Sequence, residues 1–380
     1  MLHDGLHDAL YVLLPFWAQA FGLSLSQVGI LKAAYSGVMG AFQMPAGLLA
    51  ERYGERIVLM VGTVIAGIAY LLLGTAGGFA GLLLLLALAG VGGSAQHPLS
   101  ATLVAKAYDA GRRRAAIGIY NFSGDLGKMT LPALMAVVAG AVGWRTGTLA
   151  YGILGIAAGG VIFVVLHRLG AGAPAGAAAN PDGAATGGWG IVNKPAFRAI
   201  SAINVIDTAV IYGFLTFLPF LLMEQGAAVE SVGLAMALVF GGGAAGKFLC
   251  GVAAERVGII RTAVLTILIK AAGILALLFL PLWAIFAVLP FLGIGLSGTS
   301  SVLYASVAEF VEPERHSRAF ALFYTLGIGS GAVAPPVFGV LSDAAGVPVS
   351  LAALGLGATL MLPFCVMLAF ATAPTARDKA

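Results

Sequence analysis

Apolar residues run along this chain in long blocks, separated by charged or Gly/Pro-rich breaks; Ile57–Ala76, Leu82–Val104 and Leu351–Ala371 are three of them. Blocks of about 20 residues match a hydrocarbon layer of about 30 Å crossed by a helix. The alternation expected of strands is absent, so the pattern predicts helices. Dividing the chain at its breaks predicts twelve spans, at 1–21, 27–49, 57–76, 79–105, 114–142, 146–167, 197–223, 231–253, 260–281, 283–309, 315–342 and 347–371. Between them, Arg52, Arg56, Lys106, Arg112-Arg113-Arg114, Arg168, Lys194, Arg198, Arg256, Arg261, Arg315 and Arg318 fall on one side. Of the opposite connections, only that near Trp144 carries a basic residue, Arg145. The positive-inside rule then makes the basic side cytoplasmic, with both termini.

Composition narrows the class. The chain is 60% hydrophobic and 9% charged, with mean hydropathy +1.01, against roughly 25% charged residues in a soluble domain. An integral, multi-pass membrane protein is implied, placed in a bacterial cytoplasmic (inner) membrane. The net charge of +4 is a topology signal, not a nucleic-acid signal. Cys250 and Cys365 fall inside predicted spans and read as packing residues. The stretch NFSGDLGKMTLP, 121–132, superficially resembles a phosphate-binding loop. Phe122 stands where that loop needs its first glycine and Met129 where it needs Ser or Thr, and no soluble βα unit surrounds it.

The chain repeats itself. LPF at 14–16 returns at 218–220, Val28-Gly29 at 232–233, Gly47 at 251 and Ala50-Glu51-Arg52 at 254–256, each 204 residues later. Further on the offset becomes 203, relating Gly90 to Gly293, Arg112 to Arg315, Gly124 to Gly327 and Pro132 to Pro335. A parallel repeat of six spans and six follows, an all-α arrangement in which two halves enclose a cavity. The expected division is an N-terminal half at 1–168, an Ala/Gly/Pro-rich cytoplasmic linker at 169–196 and a C-terminal half at 197–380.

The connection GLLAERYGER, 47–56, echoed by GVAAERVG at 251–258, resembles the signature loop of the major facilitator superfamily. Glu51 replaces the usual Asp, and Glu55 stands where the family prefers a basic residue. The resemblance implies the twelve-helix major facilitator fold and a cytoplasmic gating latch formed by Glu51, Arg52 and Arg56 with Glu255 and Arg256. It also implies that spans 1, 4, 7 and 10 line the cavity, 2, 5, 8 and 11 flank it, and 3, 6, 9 and 12 face lipid. GGSAQHP at 92–98, with Asp8 seven residues before Pro15, is similar to the fosmidomycin-resistance-like branch, mostly exporters. Plain juxtamembrane charge is the alternative for the latch residues.

Ionisable groups inside spans are costly and face the bundle interior or a water-filled cavity. Asp125 and Lys128 in span 5 are spaced to share a helical face, either as a structural ion pair or as a substrate and proton site. In HDGLHD, residues 3–8, His3, Asp4, His7 and Asp8 crowd adjacent faces of span 1. They could relay protons, ligate a divalent metal or sit solvated at the rim. Asp8, His7, Asp125 and Asp207 are the proton-coupling candidates; Asp207 corresponds to His3 through the repeat. The cavity candidates are Lys128, His97, Lys32, Tyr11, Asn121 and Tyr212. Lys32 alternatively snorkels to the outer face, and His97 alternatively satisfies the kink made by Pro98. Lys270 falls mid-span on a helix expected to face lipid and has no ready explanation. Gly90-x-x-Gly93, Gly155-x-x-x-Gly159 and Gly241-Gly242-Gly243-x-x-Gly246 are close-packing signals.

The expected activity is secondary active transport of a small anionic or zwitterionic solute by alternating access with proton coupling, in a monomer, with neither cofactor nor bound metal. Efflux is slightly favoured by the branch resemblance. Leu131 breaks the antiporter pattern before Pro132, which keeps proton-symport uptake as the runner-up. A membrane enzyme lacks any loop with catalytic spacing; a metal transporter or a non-transporting receptor is the distant alternative. Span 1 is short, and the repeat places residues 197–204 ahead of the position matching Met1. The expectation is therefore that roughly 8–15 further residues precede Met1 in the native chain.

Overall fold

The computed structural model describes residues 1–173, 190–312 and 316–372. Most of the expected linker (174–189), Arg315 and the tail 373–380 lie outside the described residues. The described chain is all-α, with fourteen α-helices: α1 (Leu2–Phe21), α2 (Leu25–Tyr53), α3 (Glu55–Leu73), α4 (Phe79–Gly93), α5 (Gln96–Ala107), α6 (Ala110–Val142), α7 (Trp144–Arg168), α8 (Lys194–Glu224), α9 (Val229–Val257), α10 (Ile259–Ala276), α11 (Leu282–Val307), α12 (His316–Ala345), α13 (Val347–Thr359) and α14 (Met361–Thr372).

These make twelve spans because two are broken. The break between α4 and α5 falls at Ser94–Ala95, and that between α13 and α14 at Leu360. A proline ring clashes with the carbonyl four residues before it. For Pro98 that carbonyl is Ser94 and for Pro363 it is Thr359, which is where the two helices stop. Ten of the described spans are long and apolar enough to cross a membrane by length and composition. The other two, α1 and α2, hold His3, Asp4, His7, Asp8 and Lys32, the polar residues that lower their hydropathy.

The repeat is visible at the turns. Gly54 (φ 84°) donates its N–H to Ala50 at 2.8 Å, and Gly258 (φ 94°) donates to Ala254 at 3.1 Å. Both end a helix in a conformation that a side chain would strain, so glycine recurs 204 residues apart. The helices also run past the expected spans here, α2 to Tyr53 and α9 to Val257.

Backbone contacts group the chain into two units: Met1–Ala185 with Leu222–Ala237, and Thr186–Leu221 with Leu238–Ala380. In unit 1, α1 packs on α6, α3 on α7, and α4 on both α2 and α3. In unit 2, α10 packs on α11 and α13. The first helix of each half is deeply embedded: α1 is buried continuously from Asp4 to Pro15, and α8 is the most buried of the ten apolar spans, at 61%. Polar side chains on these two helices are therefore cut off from lipid.

Candidate functional site

In unit 1 the polar cluster forms where α1 and α6 touch. A Cβ on Gly124 would lie 2.8 Å from Asp4 Oδ2, and one on Gly127 would collide with the Met1 carbonyl. The glycines of NFSGDLGKMTLP thus bring two helices together so that their charges meet. They cradle no phosphate.

Around α1 the side chains form two linked layers. In the first, Asp4 Oδ1 lies 3.4 Å from His97 Nε2 on α5, and the His3 and His97 rings meet edge-on at 5.3 Å. One turn further, Lys32 Nζ on α2 lies 3.1 Å from His7 Nε2, and His7 Nδ1 lies 3.3 Å from Asp8 Oδ1. The His7 imidazole thus stands between the Lys32 side chain and the Asp8 carboxylate. The His7 ring stacks on Tyr35 at 5.0 Å, and Lys32 Nζ sits 4.2 Å over the Tyr11 ring, a cation–π contact. Asp8 Oδ2 has no hydrogen-bond partner and lies 3.9 Å from Lys128 Nζ on α6.

Exposure divides the cluster. The side chains of Lys128 and His97 are 29% and 44% exposed, while that of Asp8 is 5% exposed. Lys32 is 1% exposed and does not snorkel. Two cationic or protonatable groups therefore remain reachable while the carboxylate behind them is sealed. Lys128 reaches across to Asp8 rather than serving only Asp125 on its own helix; Asp125 is buried and Asn121 is exposed. Among the described residues, no group of three or more His, Cys, Asp or Glu could hold a metal ion.

At the α2–α3 turn, Glu51 and Arg52 are exposed, as are Glu255 and Arg256 at the end of α9. Arg56 is half-buried with its guanidinium 5.5 Å from the Phe163 ring centre. The ion pair formed at this turn joins Lys106 on α5 to the buried Glu55. Glu55, one of the two departures from the superfamily pattern, therefore ties α3 to α5.

In unit 2 a compact charged centre joins α8, α10 and α11. Lys270 on α10 pairs with Asp207 on α8, and the residues are 0% and 1% exposed. Ser300 Oγ on α11 donates to Asp207 Oδ2 at 2.9 Å; Lys270 Nζ also reaches Thr299 Oγ1 at 3.4 Å, and Thr299 meets Thr266 at 2.9 Å. Beside it, Asn204 Nδ2 donates to the Phe323 carbonyl at 2.8 Å, and Tyr212 is half-buried against Gly331. Lys270 points inward, and its partner is the acid that matches His3.

Two of these interhelical contacts fall at related positions of the repeat. Gln96 Nε2 donates to Thr63 in unit 1, and Thr299 meets Thr266 in unit 2; both residues of the second pair lie 203 positions after those of the first. The His3–His97 contact likewise maps onto Asp207–Ser300. Sequence reasoning passed over Tyr35, Thr63, Gln96, Thr266, Thr299 and Ser300. The repeat offset was a signal for the four matched hydroxyl and amide positions, and Tyr35 lies one turn after Lys32.

Comparison with known proteins agrees with this architecture. The model of the Major Facilitator Superfamily matches residues 2–226 and 200–380. The chain is 24% identical over 359 residues to the fosmidomycin resistance protein of Escherichia coli (strain K12), covering 90% of this chain and 84% of that one. It is 28% identical over 291 residues to an MFS-type efflux pump of Mycolicibacterium smegmatis (strain ATCC 700084 / mc(2)155), covering 73% and 66%. Among solved structures, a POT family transporter in complex with 5-aminolevulinic acid superposes with TM-score 0.81 at 12% identity, covering 98% of this chain and 94% of that one.

Proposed function

The chain belongs to the Major Facilitator Superfamily, and from that premise we propose a secondary transporter that moves a small anionic or zwitterionic solute by alternating access, coupled to protons, with export favoured. The observation that carries the solute class and the proton coupling is Lys128: a part-exposed ammonium 3.9 Å from the sealed Asp8 carboxylate. An incoming anionic group can take Lys128 from Asp8, and a buried carboxylate that loses its counter-ion is stabilised by binding a proton. Asp8 is then the proton carrier, His7 its link to Lys32, and His97 and Lys128 the solute-facing groups. Export is supported by the likeness to the MFS-type efflux pump across 73% of the chain. The basic connections support an inner-membrane placement with both termini cytoplasmic. The two AER repeats support a gating role for Glu51, Arg52, Arg56, Glu255 and Arg256.

One observation favours the opposite direction. If the anion displaces Asp8 and Asp8 then takes a proton, solute and proton bind together, as in symport; an exporter by antiport needs them to compete. A thermal-shift panel of small organic anions and zwitterions that includes fosmidomycin, run on purified protein at two pH values, separates the cases. Stabilisation that weakens on acidification supports export, and stabilisation that strengthens supports symport. In either case Lys128→Ala should lose the shift. Stabilisation by cations alone, or an undiminished shift in Lys128→Ala, would overturn the solute class.

A further inference from the structure

Asp207 matches a depth at which unit 1 also carries an ionisable group, and by position it too is a candidate proton carrier. Its surroundings argue otherwise. Both carboxylate oxygens are engaged, Oδ1 by Lys270 and Oδ2 by Ser300 at 2.9 Å. The ammonium is tied in turn to Thr299, and Thr299 to Thr266. No atom of this network is left unsatisfied, whereas in unit 1 Asp8 Oδ2 and His3 Nε2 are buried without a hydrogen-bond partner. Among the described residues, phenols lie beside Asp207: Tyr304 on α11, with Tyr324 of α12 stacked on it at 4.8 Å and Tyr212 of α8 beyond. None of them is a cation that could replace Lys270.

The repeat shows how the pair differs from its surroundings. Position 270 falls opposite the uncharged pair Ala66–Gly67 and position 207 opposite His3. Relative to unit 1, unit 2 therefore has one added negative charge and one added positive charge, placed against each other. A proton arriving at Asp207 would have to break that pair and leave Lys270 as an uncompensated cation in a dry interior.

We propose that Lys270 is a tethered counter-cation: an ammonium delivered on a covalent arm from α10 fills the place beside Asp207 that a coupling proton would otherwise take. Unit 2 then carries no transported proton, and coupling resides in the carboxylates of unit 1, a statement that rests on the reading of Asp8 given above. Lys270 is a positioning residue that occupies the Asp207 carboxylate as its counter-ion.

Infrared difference spectroscopy of the purified protein during a pH titration tests this without any substrate, because protonated carboxyls have a resolved carbonyl stretch. The wild type and the charge-neutral double variant Asp207→Asn/Lys270→Met should show the same protonated-carboxyl titration, and Asp8→Asn should remove a component from it. Lys270→Met alone should gain a component absent from the wild type, which the added Asp207→Asn abolishes. A wild-type component missing from the double variant would overturn the tethered-cation proposal, even if Lys270→Met alone fails to fold. A titration unchanged by Asp8→Asn would overturn the unit 1 reading while leaving the unit 2 comparison intact.

Discussion

Unit 1 and unit 2 are built on the same six-helix repeat but hold their buried charges differently. In unit 1 the groups are spread over α1, α2, α5 and α6 at separations of 3.1 to 3.9 Å, with one lysine and one histidine partly open. In unit 2 one lysine and one aspartate are closed on each other by α8, α10 and α11. The same positions are used: His3 and His97 meet in one unit where Asp207 and Ser300 meet in the other. The lesson concerns partner exchange. A loose cluster with an orphaned oxygen can trade partners with a solute or a proton, whereas a self-neutralised pair with both carboxylate oxygens engaged cannot do so cheaply.

The sharpest way to break this comparison is to remove the ammonium alone. Lys270→Met should destabilise the protein by about 3–5 kcal/mol, because Asp207 would remain buried without its counter-charge, while Asp207→Asn/Lys270→Met should lose far less. Melting of the two purified variants in detergent measures it. Equal losses would mean that the pair is not self-contained.

A smaller effect is expected where α6 touches α1. Gly124→Ala would place a methyl group 2.8 Å from Asp4 Oδ2, an overpacking worth about 1–3 kcal/mol. It should also move Asp4 off His97. The repeat-matched Gly327→Ala meets the Asn204 amide at 2.8 Å instead and disturbs no charge. Unit 1 is predicted to be the more sensitive in ligand binding and the two alike in melting; ligand binding lost equally in both would contradict the assignment of the solute site.

The smallest effect sharpens the likeness. Thr63→Val and Thr266→Val each remove one side of a matched hydroxyl contact between neighbouring helices. Interhelical hydrogen bonds in membranes are worth roughly 0.6 kcal/mol on average, so both variants should melt within about 1 kcal/mol of the parent. A large loss in one alone would show that the two contacts carry unequal load.

Much of the fold was legible because its determinants are local. The twelve spans follow from block length, the broken spans lie four residues before Pro98 and Pro363, and the turn glycines recur with the repeat. The site was legible in part. Asp8, His7, Lys128, Lys32, Tyr11 and His97 were singled out as ionisable or polar groups in an apolar setting, and the structure brings them together. Their reach between helices was not legible: spacing along span 5 points Lys128 toward Asp125, and only the structure shows that Lys128 also comes within 3.9 Å of Asp8 on another helix. For Lys270, span position suggested a lipid-facing helix, and only the path of a long side chain across α10 shows where its charge ends.

The sequence alone determined that this chain crosses the membrane as twelve helices in two related halves, since burying backbone in lipid leaves a polypeptide few options and a repeat is read by comparison of positions. Tertiary structure decided which charge neutralises which. Partners on different helices are chosen by distances of a few ångströms between residues that lie 25 to 120 positions apart, from His7–Lys32 to Asp8–Lys128. Those distances depend on how closely glycines let the helices approach, a property that no single helix records.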